Sequence, residues 1–155
     1  SSSKIRQLLA SGQVNLARRM LGRPYGVEGR VERGSERGHK LGFPTANLHP
    51  HNRVIPRNGV YVTGTLIDGQ WRRSVTNVGL RPTFADATEP SVETFVMNWA
   101  GDLYGDVVRV RFLYRLRDER KFSSIEELKT QIARDVQRAD SYFDRAGTKH
   151  MLSVI

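Results

Sequence analysis

Hydrophobic residues near the start of the chain recur at helical spacing. Between Ile5 and Leu21 the apolar side chains fall at intervals of three and four residues, and Ser11 and Gly12 interrupt the pattern. This spacing is typical of amphipathic helices, whereas a serine-glycine pair disfavours a helix. The pattern therefore predicts two short helices, which the breaker at residues 22–24 separates from the rest of the chain.

From Tyr25 onwards the apolar spacing changes to two, as in strands. Asp68 and Gly69 lie between two segments of strand character and form a strong hairpin signal. In residues 107–116 the even-numbered positions are apolar and most odd-numbered ones are arginine. The middle of the chain is predicted to be all-β, with strands at residues 25–31, 59–67, 70–78, 91–97 and 107–116, whereas residues 49–51 are interpreted as loop.

The periodicity returns to that of a helix near the C-terminus. Ser123 and Glu126 match a capping box, which marks a helix start, and an apolar stripe follows. The helix is predicted to run to about Arg145, with Gly147 as its stop. Short antiparallel strands around one core, closed by such a helix, predict a mainly β fold, a small β-barrel with a helix packed on it. The stripe consists of Ile125, Leu128, Ile132, Val136, Ala139 and Phe143.

The amino-acid composition excludes several classes of function, although it says little about the fold. The 155 residues include 25 Lys+Arg, 16 Asp+Glu and no cysteine, which gives a formal net charge of +9. The lack of cysteine excludes disulfides, thiolate zinc sites and cysteine nucleophiles. The positive charge favours a phosphate-bearing partner, whether a polymer or a nucleotide. Because no apolar stretch is long enough to span a bilayer and no secretory signal is visible, we expect a cytoplasmic protein with no membrane partner.

A glycine-rich segment at residues 33–42 carries three glycines and four basic side chains. Glycines let backbone N–H groups approach a phosphate closely, and basic side chains supply counter-charge. The same composition is typical of an ordinary surface loop, so both interpretations stay open. Leu41 stands where a Walker loop needs Ser or Thr, which excludes that class of phosphate site.

The short segment that follows offers candidate metal ligands. Pro44 fixes the backbone, and Thr45 and Asn47 would point the same way if the chain is extended there. A hydroxyl and a side-chain carbonyl suit a hard cation such as Mg²⁺, which also keeps phosphate oxygens and water as ligands. An Asx-type turn, in which these groups bond their own backbone, is the alternative.

Glu93 is the candidate residue for acid-base chemistry. By period two it lies on the same strand face as Phe95 and Met97, so its carboxylate has apolar neighbours. Such a carboxylate either pairs with an arginine for structural reasons or serves as a general base. The sequence leaves both roles open.

Arg109, Arg111 and Arg115 raise an alternative function. They alternate with core residues and would form a basic strand face, as in a β-barrel that binds nucleic acid without catalysis. The same alternation is ordinary for a solvated strand face. Because no aromatic stacking platform or known nucleic-acid motif accompanies the charge, we expect no nucleic-acid partner.

Six sequence blocks together closely resemble the riboflavin kinase family, in that family's order. The resemblance extends from about Gly22 to Phe143. Residues 1–22 resemble the tail of the FMN adenylyltransferase module, with linker helices, that precedes the kinase in bacterial bifunctional FAD synthetases. The resemblance thus implies a kinase domain at residues 23–147 and a C-terminal tail at residues 148–155. The six blocks are residues 42–47, 58–61, 77–84, 92–94, 101–105 and 116–122.

The family resemblance implies a six-stranded antiparallel Greek-key β-barrel with a C-terminal α-helix and short N-terminal helices. It also implies an enzyme that uses ATP and Mg²⁺ to phosphorylate the 5′-hydroxyl of riboflavin, with FMN and ADP as products. Because most of the adenylyltransferase module is not in this sequence, the chain is expected to make FMN and not FAD.

The same resemblance implies roles for single residues. Thr45 and Asn47 would hold Mg²⁺ against the ATP phosphates, and Glu93 would accept the proton of the riboflavin hydroxyl. The flavin is expected near Arg117 and Phe122. The glycine-rich segment would cover the nucleotide, and the expected nucleotide-binding residues are Gly34, Gly38, His39, Lys40, Gly42, Thr45 and Asn47.

Overall fold

The structure, a computed structural model, describes residues 1–33 and 42–145. These residues form six strands and three helices, joined by loops. The strands are β1 (Tyr25–Glu32), β2 (Thr45–Pro50), β3 (Gly59–Ile67), β4 (Gln70–Pro82), β5 (Thr88–Val96) and β6 (Val107–Arg117). The helices are α1 (Ser2–Ala10), α2 (Val14–Leu21) and α3 (Ile125–Asp144). The strands close an antiparallel barrel in the order β1-β2-β5-β4-β3-β6. The predicted six-stranded barrel with its C-terminal helix and short N-terminal helices is confirmed.

The predicted hairpin joins β3 to β4. Asp68 and Gly69 have φ values of 51° and 77°, and both must be positive in a type I′ hairpin turn. β4 continues beyond its predicted end at residue 78, because its last part pairs with β5 as far as Pro82 opposite Thr88. The strand is therefore longer than its own alternation indicates.

Strand β2 has no counterpart among the predicted strands. It is held on both sides, since Asn47 lies opposite Glu32 of β1 and opposite Glu93 of β5. A strand of six residues that ends in Pro50 gives a weak local signal. The Asx-turn alternative for Asn47 and the loop interpretation of His49 and Pro50 are therefore wrong.

A register shift in β6 changes which side chains face the barrel interior. Opposite β3, the pairing passes from Phe112 directly to Tyr114. Phe112 packs in the barrel core, whereas Tyr114 is 40% exposed and stacks on Tyr142 of α3, on the outer face. The regular alternation expected for residues 107–116 ends here, because one extra residue in a strand reverses the faces that follow it.

The barrel interior and the N-terminal helices share one hydrophobic core. Leu8 and Leu9 of α1 and Val14 and Ala17 of α2 are buried together with inward-facing strand residues. The backbone N–H of Arg57, just before β3, also donates to the carbonyl of Leu9 at 3.0 Å. Helices α1 and α2 are thus packed onto the barrel as part of its core.

Five hydroxyl side chains inside the barrel form a continuous hydrogen-bonded chain, called here the hydroxyl chain. Thr65 contacts Ser74 at 2.8 Å, Ser74 contacts Thr63 at 2.7 Å, Thr63 contacts Thr76 at 2.8 Å, and Thr76 contacts Thr94 at 2.6 Å. All five residues are buried. Buried hydroxyls are tolerated when each one has a partner. The hydroxyl chain therefore ties β3, β4 and β5 together in one register.

Helix α3 covers part of the outer face of the barrel. Its buried residues begin at Asp135 and include Ala139 and Phe143, whereas Ile125, which the sequence places in the apolar stripe, is 57% exposed. In the described part of the chain, no helix is both long and apolar enough to cross a membrane. The strand residues that share a buried cluster with α3 are Val60, Val62, Val75, Met97 and Leu113.

The N-terminal cap of α3 lies one residue later than predicted. The hydroxyl of Ser124 accepts from the backbone N–H of Glu127 at 3.1 Å. The Glu127 carboxylate accepts from the hydroxyl and the N–H of Ser123, at 2.6 and 3.1 Å, and these bonds lower the pKa of Glu127. The predicted box of Ser123 with Glu126 is wrong, because two Ser-x-x-Glu pairs overlap here and the spacing does not choose between them.

A buried ion pair anchors α3 to the barrel. Arg117, at the end of β6, donates from Nε and Nη2 to the carboxylate of Asp135 at 3.0 and 2.8 Å. The Asp135 side chain is 3% exposed and also accepts from Nε2 of Gln131 at 3.0 Å. Because a guanidinium and a carboxylate meet in a fixed planar geometry, this pair sets where α3 joins the barrel.

We expect Thr63→Val to lower the free energy of unfolding by about 1–3 kcal/mol, because Ser74 and Thr76 each lose a buried partner. Thr88→Val, at the exposed start of β5, is the control and should change stability by less than about 0.5 kcal/mol. Urea denaturation followed by circular dichroism measures both variants. Equal effects of the two substitutions would contradict a stabilising hydroxyl chain.

We expect Asp135→Ala to destabilise the fold by about 3–5 kcal/mol, because it leaves the Arg117 guanidinium without its buried partner. Asp140→Ala, on the same helix, breaks an ion pair with Arg73 in which the side chains are 44% and 35% exposed. This control should cost about 0.2–1 kcal/mol. Thermal unfolding measures the stability of both variants. Similar losses of stability would show that the buried ion pair stabilises the fold no more than the exposed one.

Candidate active site

One row of side chains crosses the outer face of the barrel. Paired strands place Asn47 (β2), Glu93 (β5), Asn77 (β4), Val60 (β3) and Arg117 (β6) opposite one another in that order. Directly opposed residues point to the same face, and neighbouring strands lie about 4.8 Å apart. The row therefore brings residues from five strands side by side, although they are far apart in sequence.

A cavity of about 580 Å³, called here the helix cleft, lies between this face and α3. Glu93, Asn77 and Val60 of the row line it from the sheet. Leu128 and Ile132 line it from α3, and the loop between β6 and α3 supplies further side chains. Three phenylalanines and four aliphatic side chains are among its lining residues, so the helix cleft offers apolar surface to a flat ring system. Its other lining residues are Phe43, Thr45, Val75, Phe95, Arg117, Glu119, Arg120, Lys121, Phe122 and Asp135.

A second cavity of about 370 Å³, called here the strand-end cleft, lies where β1 ends and β2 begins. Asn47 lines it together with Arg33 and with Thr94, the last member of the hydroxyl chain. The two clefts therefore lie on either side of β2 and β5. The remaining lining residues are Val31, Glu32, Pro44, Thr45, Ala46, Val96, Trp99, Ala100, Gly101, Asp102, Leu103 and Tyr104.

Thr45 lines both clefts and links them to Glu93. Its hydroxyl donates to Oε1 of the Glu93 carboxylate at 2.5 Å. Among residues 1–33 and 42–145, Glu93 takes part in no ion pair and its Oε2 has no hydrogen-bond partner. The described residues therefore give no support to the alternative in which an arginine neutralises Glu93.

Thr45 and Asn47 together fit a hard cation. The Thr45 hydroxyl gives its proton to the bond with Glu93, which leaves the lone pairs of its oxygen available. Asn47 is 8% exposed, yet its carboxamide makes no hydrogen bond with any residue that the structure describes. Its polar atoms are not among the fully buried ones without a partner, so a ligand in the strand-end cleft can reach them. Two neutral oxygen ligands facing a cleft match the preference of Mg²⁺, which keeps phosphate oxygens and water in its other positions.

Arg117 and Phe122, predicted near a flavin, both line the helix cleft. The Arg117 guanidinium is occupied by Asp135, so its first role is to hold the wall of the cleft. The guanidinium carbons of Arg117 and Arg120 lie 5.8 and 4.7 Å from the centre of the Phe122 ring. These cation-π contacts fix an aromatic ring at the edge of the cleft.

The loop that carries Phe122 is fitted to β4 at Gly79. A Cβ atom on Gly79 would collide with the carboxylate of Glu119. The Glu119 carboxylate thus lies against the backbone of β4 and in the wall of the helix cleft. Two of the blocks that resemble the kinase family, residues 77–84 and 116–122, thus meet at one contact.

Aromatic side chains also line the strand-end cleft. The Trp99 ring lies over Gly101, since a Cβ there would approach the ring to 2.7 Å. The guanidinium of Arg33 lies 4.4 Å from the centre of the Tyr104 ring. Aromatic faces beside a cation suit a ligand with a flat base and a negative charge. The strand-end cleft therefore has the chemistry to hold a nucleotide.

The predicted nucleotide-binding residues are only partly described. Gly42 has a positive φ of 83° and directly precedes Phe43, whose ring meets that of Phe95 edge-on at 5.4 Å. The other predicted residues of the glycine-rich segment, namely Gly34, Gly38, His39 and Lys40, lie outside the described residues.

Sequence reasoning missed several residues that line the clefts. Asn77 and Tyr104 lie in blocks that resemble the kinase family, but the strand pairing that brings Asn77 beside Glu93 is not visible in the sequence. Asp135 lies within the apolar stripe of α3, three residues after Ile132 and directly before Val136. An acidic residue on the buried side of a helix is the signal that could have indicated its pairing with Arg117.

Comparison with known proteins identifies the family. The family model of riboflavin kinase, named Flavokinase, matches residues 21–143. Bifunctional riboflavin kinase/FMN adenylyltransferases from Pseudomonas fluorescens and Bacillus subtilis are 42% and 40% identical to this chain and cover 90% and 92% of it. These matches extend over 45% and 46% of the two relatives, so the chain spans about half the length of the curated relatives it matches.

Two solved structures share the fold. One, described as a macrolide-efflux protein from Streptococcus pneumoniae, has a TM-score of 0.87 and 37% identity, and covers 92% of this chain and 47% of that chain. The riboflavin kinase of Trypanosoma brucei has a TM-score of 0.60 over 84% of this chain and 87% of its own; at 21% identity it supports the fold alone. The family model matches residues 21–143, and the two bifunctional relatives are 42% and 40% identical to the chain over 90% and 92% of its length. The chain therefore belongs to the riboflavin kinase family.

Proposed function

We propose that this chain catalyses the reaction of its family, the transfer of the γ-phosphate of ATP to the 5′-hydroxyl of riboflavin. FMN and ADP are the products. One observation carries the proposal beyond family membership. Thr45 lies between the two clefts and binds Glu93, so a donor in one cleft and an acceptor in the other would meet at a carboxylate.

The side chains that line each cleft match the chemistry of one of the two substrates. The helix cleft offers Phe43, Phe95 and Phe122 to a flat ring system, in keeping with a flavin near Arg117 and Phe122. The strand-end cleft offers Arg33 to a phosphate. We assign riboflavin to the helix cleft and ATP to the strand-end cleft.

Glu93 is assigned as the general base. The 5′-oxygen of riboflavin forms a bond to the γ-phosphorus while the bond from that phosphorus to the β,γ-bridging oxygen breaks, and ADP leaves. The proton of the hydroxyl passes to Oε2 of Glu93, which has no partner among the described residues. The bond from Thr45 to Oε1 keeps the carboxylate turned towards the acceptor.

Thr45 and Asn47 are assigned as the protein ligands of Mg²⁺, which when bound would neutralise charge on the phosphate oxygens. Their placement on one face of β2 is set by the strand itself, since residues two apart point the same way. The glycine-rich segment is proposed to bind the nucleotide through Gly34, Gly38, His39, Lys40 and Gly42. This proposal rests on its composition and on its position before β2.

The full-length protein is proposed to carry an FMN adenylyltransferase module before this chain. The relatives are bifunctional and about twice as long as this chain. In this view residues 1–22 are the tail of that module, residues 23–147 the kinase domain and residues 148–155 a C-terminal tail. We also propose that the protein is cytoplasmic, where ATP is available for the reaction.

Nucleic-acid binding is not favoured. Of the three arginines that raised it, Arg109 pairs with Glu28 at 3.3 Å and Arg115 with Asp118 at 2.9 Å. Arg111 is 9% exposed and lies over the ring of Trp71, 4.5 Å from its centre. The basic face is therefore engaged within the protein.

The direct test is incubation of the chain with riboflavin, ATP and MgCl₂, followed by chromatography. We expect FMN to appear only when both substrates and the metal are present. Titration with labelled oligonucleotides at two salt concentrations tests the alternative. Submicromolar, salt-dependent binding of oligonucleotides without any FMN would overturn the proposal.

We expect Glu93→Gln to lower kcat by about 10²–10⁴, because the amide keeps the shape but cannot accept the proton. The melting temperature should stay near that of the wild type, since no described residue forms an ion pair with Glu93. Glu89→Gln, on the same strand but outside both clefts, is the matched control and should retain activity. Single-turnover kinetics of the three proteins give the answer, and a fully active Glu93→Gln variant would rule out this mechanism.

We expect Asn47→Ala and Thr45→Val each to raise the Mg-ATP concentration needed for half-maximal rate by about 10- to 100-fold, because each removes a metal ligand. Thr45→Ser keeps the hydroxyl and should stay near wild type. Initial rates at varied Mg-ATP, with far-UV circular dichroism to verify folding, separate the variants. Loss of the folded spectrum without a nucleotide defect would instead favour a purely structural role.

A further inference from the structure

Asn77 occupies an unassigned position in the row that crosses the outer face of the barrel. It lies on β4 directly opposite Glu93, one strand spacing or about 4.8 Å away, and lines the helix cleft. Asn47 lies on the opposite side of Glu93 and lines the strand-end cleft. Glu93 therefore separates two asparagines, one facing each cleft.

The Asn77 side chain is available to a ligand. It is exposed, and within the described residues its carboxamide makes no hydrogen bond. The other β4 residue that lines the helix cleft is Val75, and the next member of the row is Val60. A carboxamide has two donor hydrogens and one acceptor oxygen. On this part of the cleft floor, Asn77 thus supplies the hydrogen-bonding capacity beside Glu93.

The proposed reaction sets the direction in which the acceptor extends. The phosphate donor lies on the Asn47 side of Glu93, and the reacting hydroxyl lies at Glu93. The rest of the acceptor must then run away from the donor, towards Asn77 and the aromatic wall of the helix cleft. In riboflavin, the part next to the reacting hydroxyl is a chain of secondary hydroxyls, and the ring follows.

We propose that Asn77 is a specificity-determining residue that hydrogen-bonds a secondary hydroxyl of the acceptor's polyol chain. This inference rests on the proposed function. It adds that the enzyme selects a polyhydroxylated chain and not merely a flavin ring with a terminal hydroxyl. A hydrogen-bonding site discriminates strongly against a ligand without the matching group, because its own polar atoms are then left unpaired.

The test compares riboflavin with an analogue that carries a 5-hydroxypentyl chain, which keeps the terminal hydroxyl and lacks the secondary ones. Isothermal titration calorimetry gives Kd for both ligands, and FMN formation gives kcat/KM for riboflavin. The proteins are the wild-type chain, Asn77→Ala, Asn77→Thr, which suits a strand, and Asn15→Ala as a control on α2.

We expect wild type to bind riboflavin more tightly than the analogue. Asn77→Ala should weaken riboflavin binding by about tenfold, the usual loss for one hydrogen bond, and leave the analogue within about twofold. Asn15→Ala should change neither ligand. Equal weakening of both ligands by Asn77→Ala and Asn77→Thr, or no weakening of either, would overturn the inference. If wild type forms no FMN at all, the proposed function fails instead, so the two failures are distinguishable.

Discussion

The pairing of β5 with β4, which precedes it along the chain, and with the more distant β2 is the constraint on which the candidate active site depends. β5 lies between β2 and β4, and Glu93 consequently sits between Asn47 and Asn77. A slip of one residue would turn every β5 side chain to the opposite face. The hydroxyl chain opposes such a slip, because Thr94 meets Thr76 inside the barrel in this register alone. The same register of β5 thus positions both the buried hydroxyl chain and the Glu93 side chain on the outer face.

The helix cleft exists because α3 is packed against the barrel along only part of its length. The buried residues of α3 begin at Asp135, whereas Leu128 and Ile132, nearer its start, line the cleft. The Arg117–Asp135 pair stands where the packed part begins. The flavin proposed for this cleft would cover the two apolar side chains on this part of the helix.

Part of the positive charge is engaged in ion pairs within the fold. Arg73, Arg81 and Arg117 each pair with acidic residues, and the pKa of Arg81 is raised by its bonds to Glu32 and Glu89 despite partial burial. Several of these pairs join elements that are far apart in the chain. A net charge counted from sequence does not show which cations are paired within the fold and which, such as Arg33 beside the strand-end cleft, face a cavity.

The sequence by itself determined the elements whose signals are local. The Asp68-Gly69 turn, the two N-terminal helices and the amphipathic α3 follow from turn chemistry and periodicity, and the motif blocks indicated the family. Only the tertiary structure decided β2, the bulge at Leu113 and the place of Asn77 beside Glu93. Each of these depends on which strands lie next to each other. The neighbours of β2 and β6 are far apart in sequence and are chosen by closure of the whole barrel, whereas Asn77 meets Glu93 through the register of the consecutive strands β4 and β5. Neither choice leaves a pattern within any one segment.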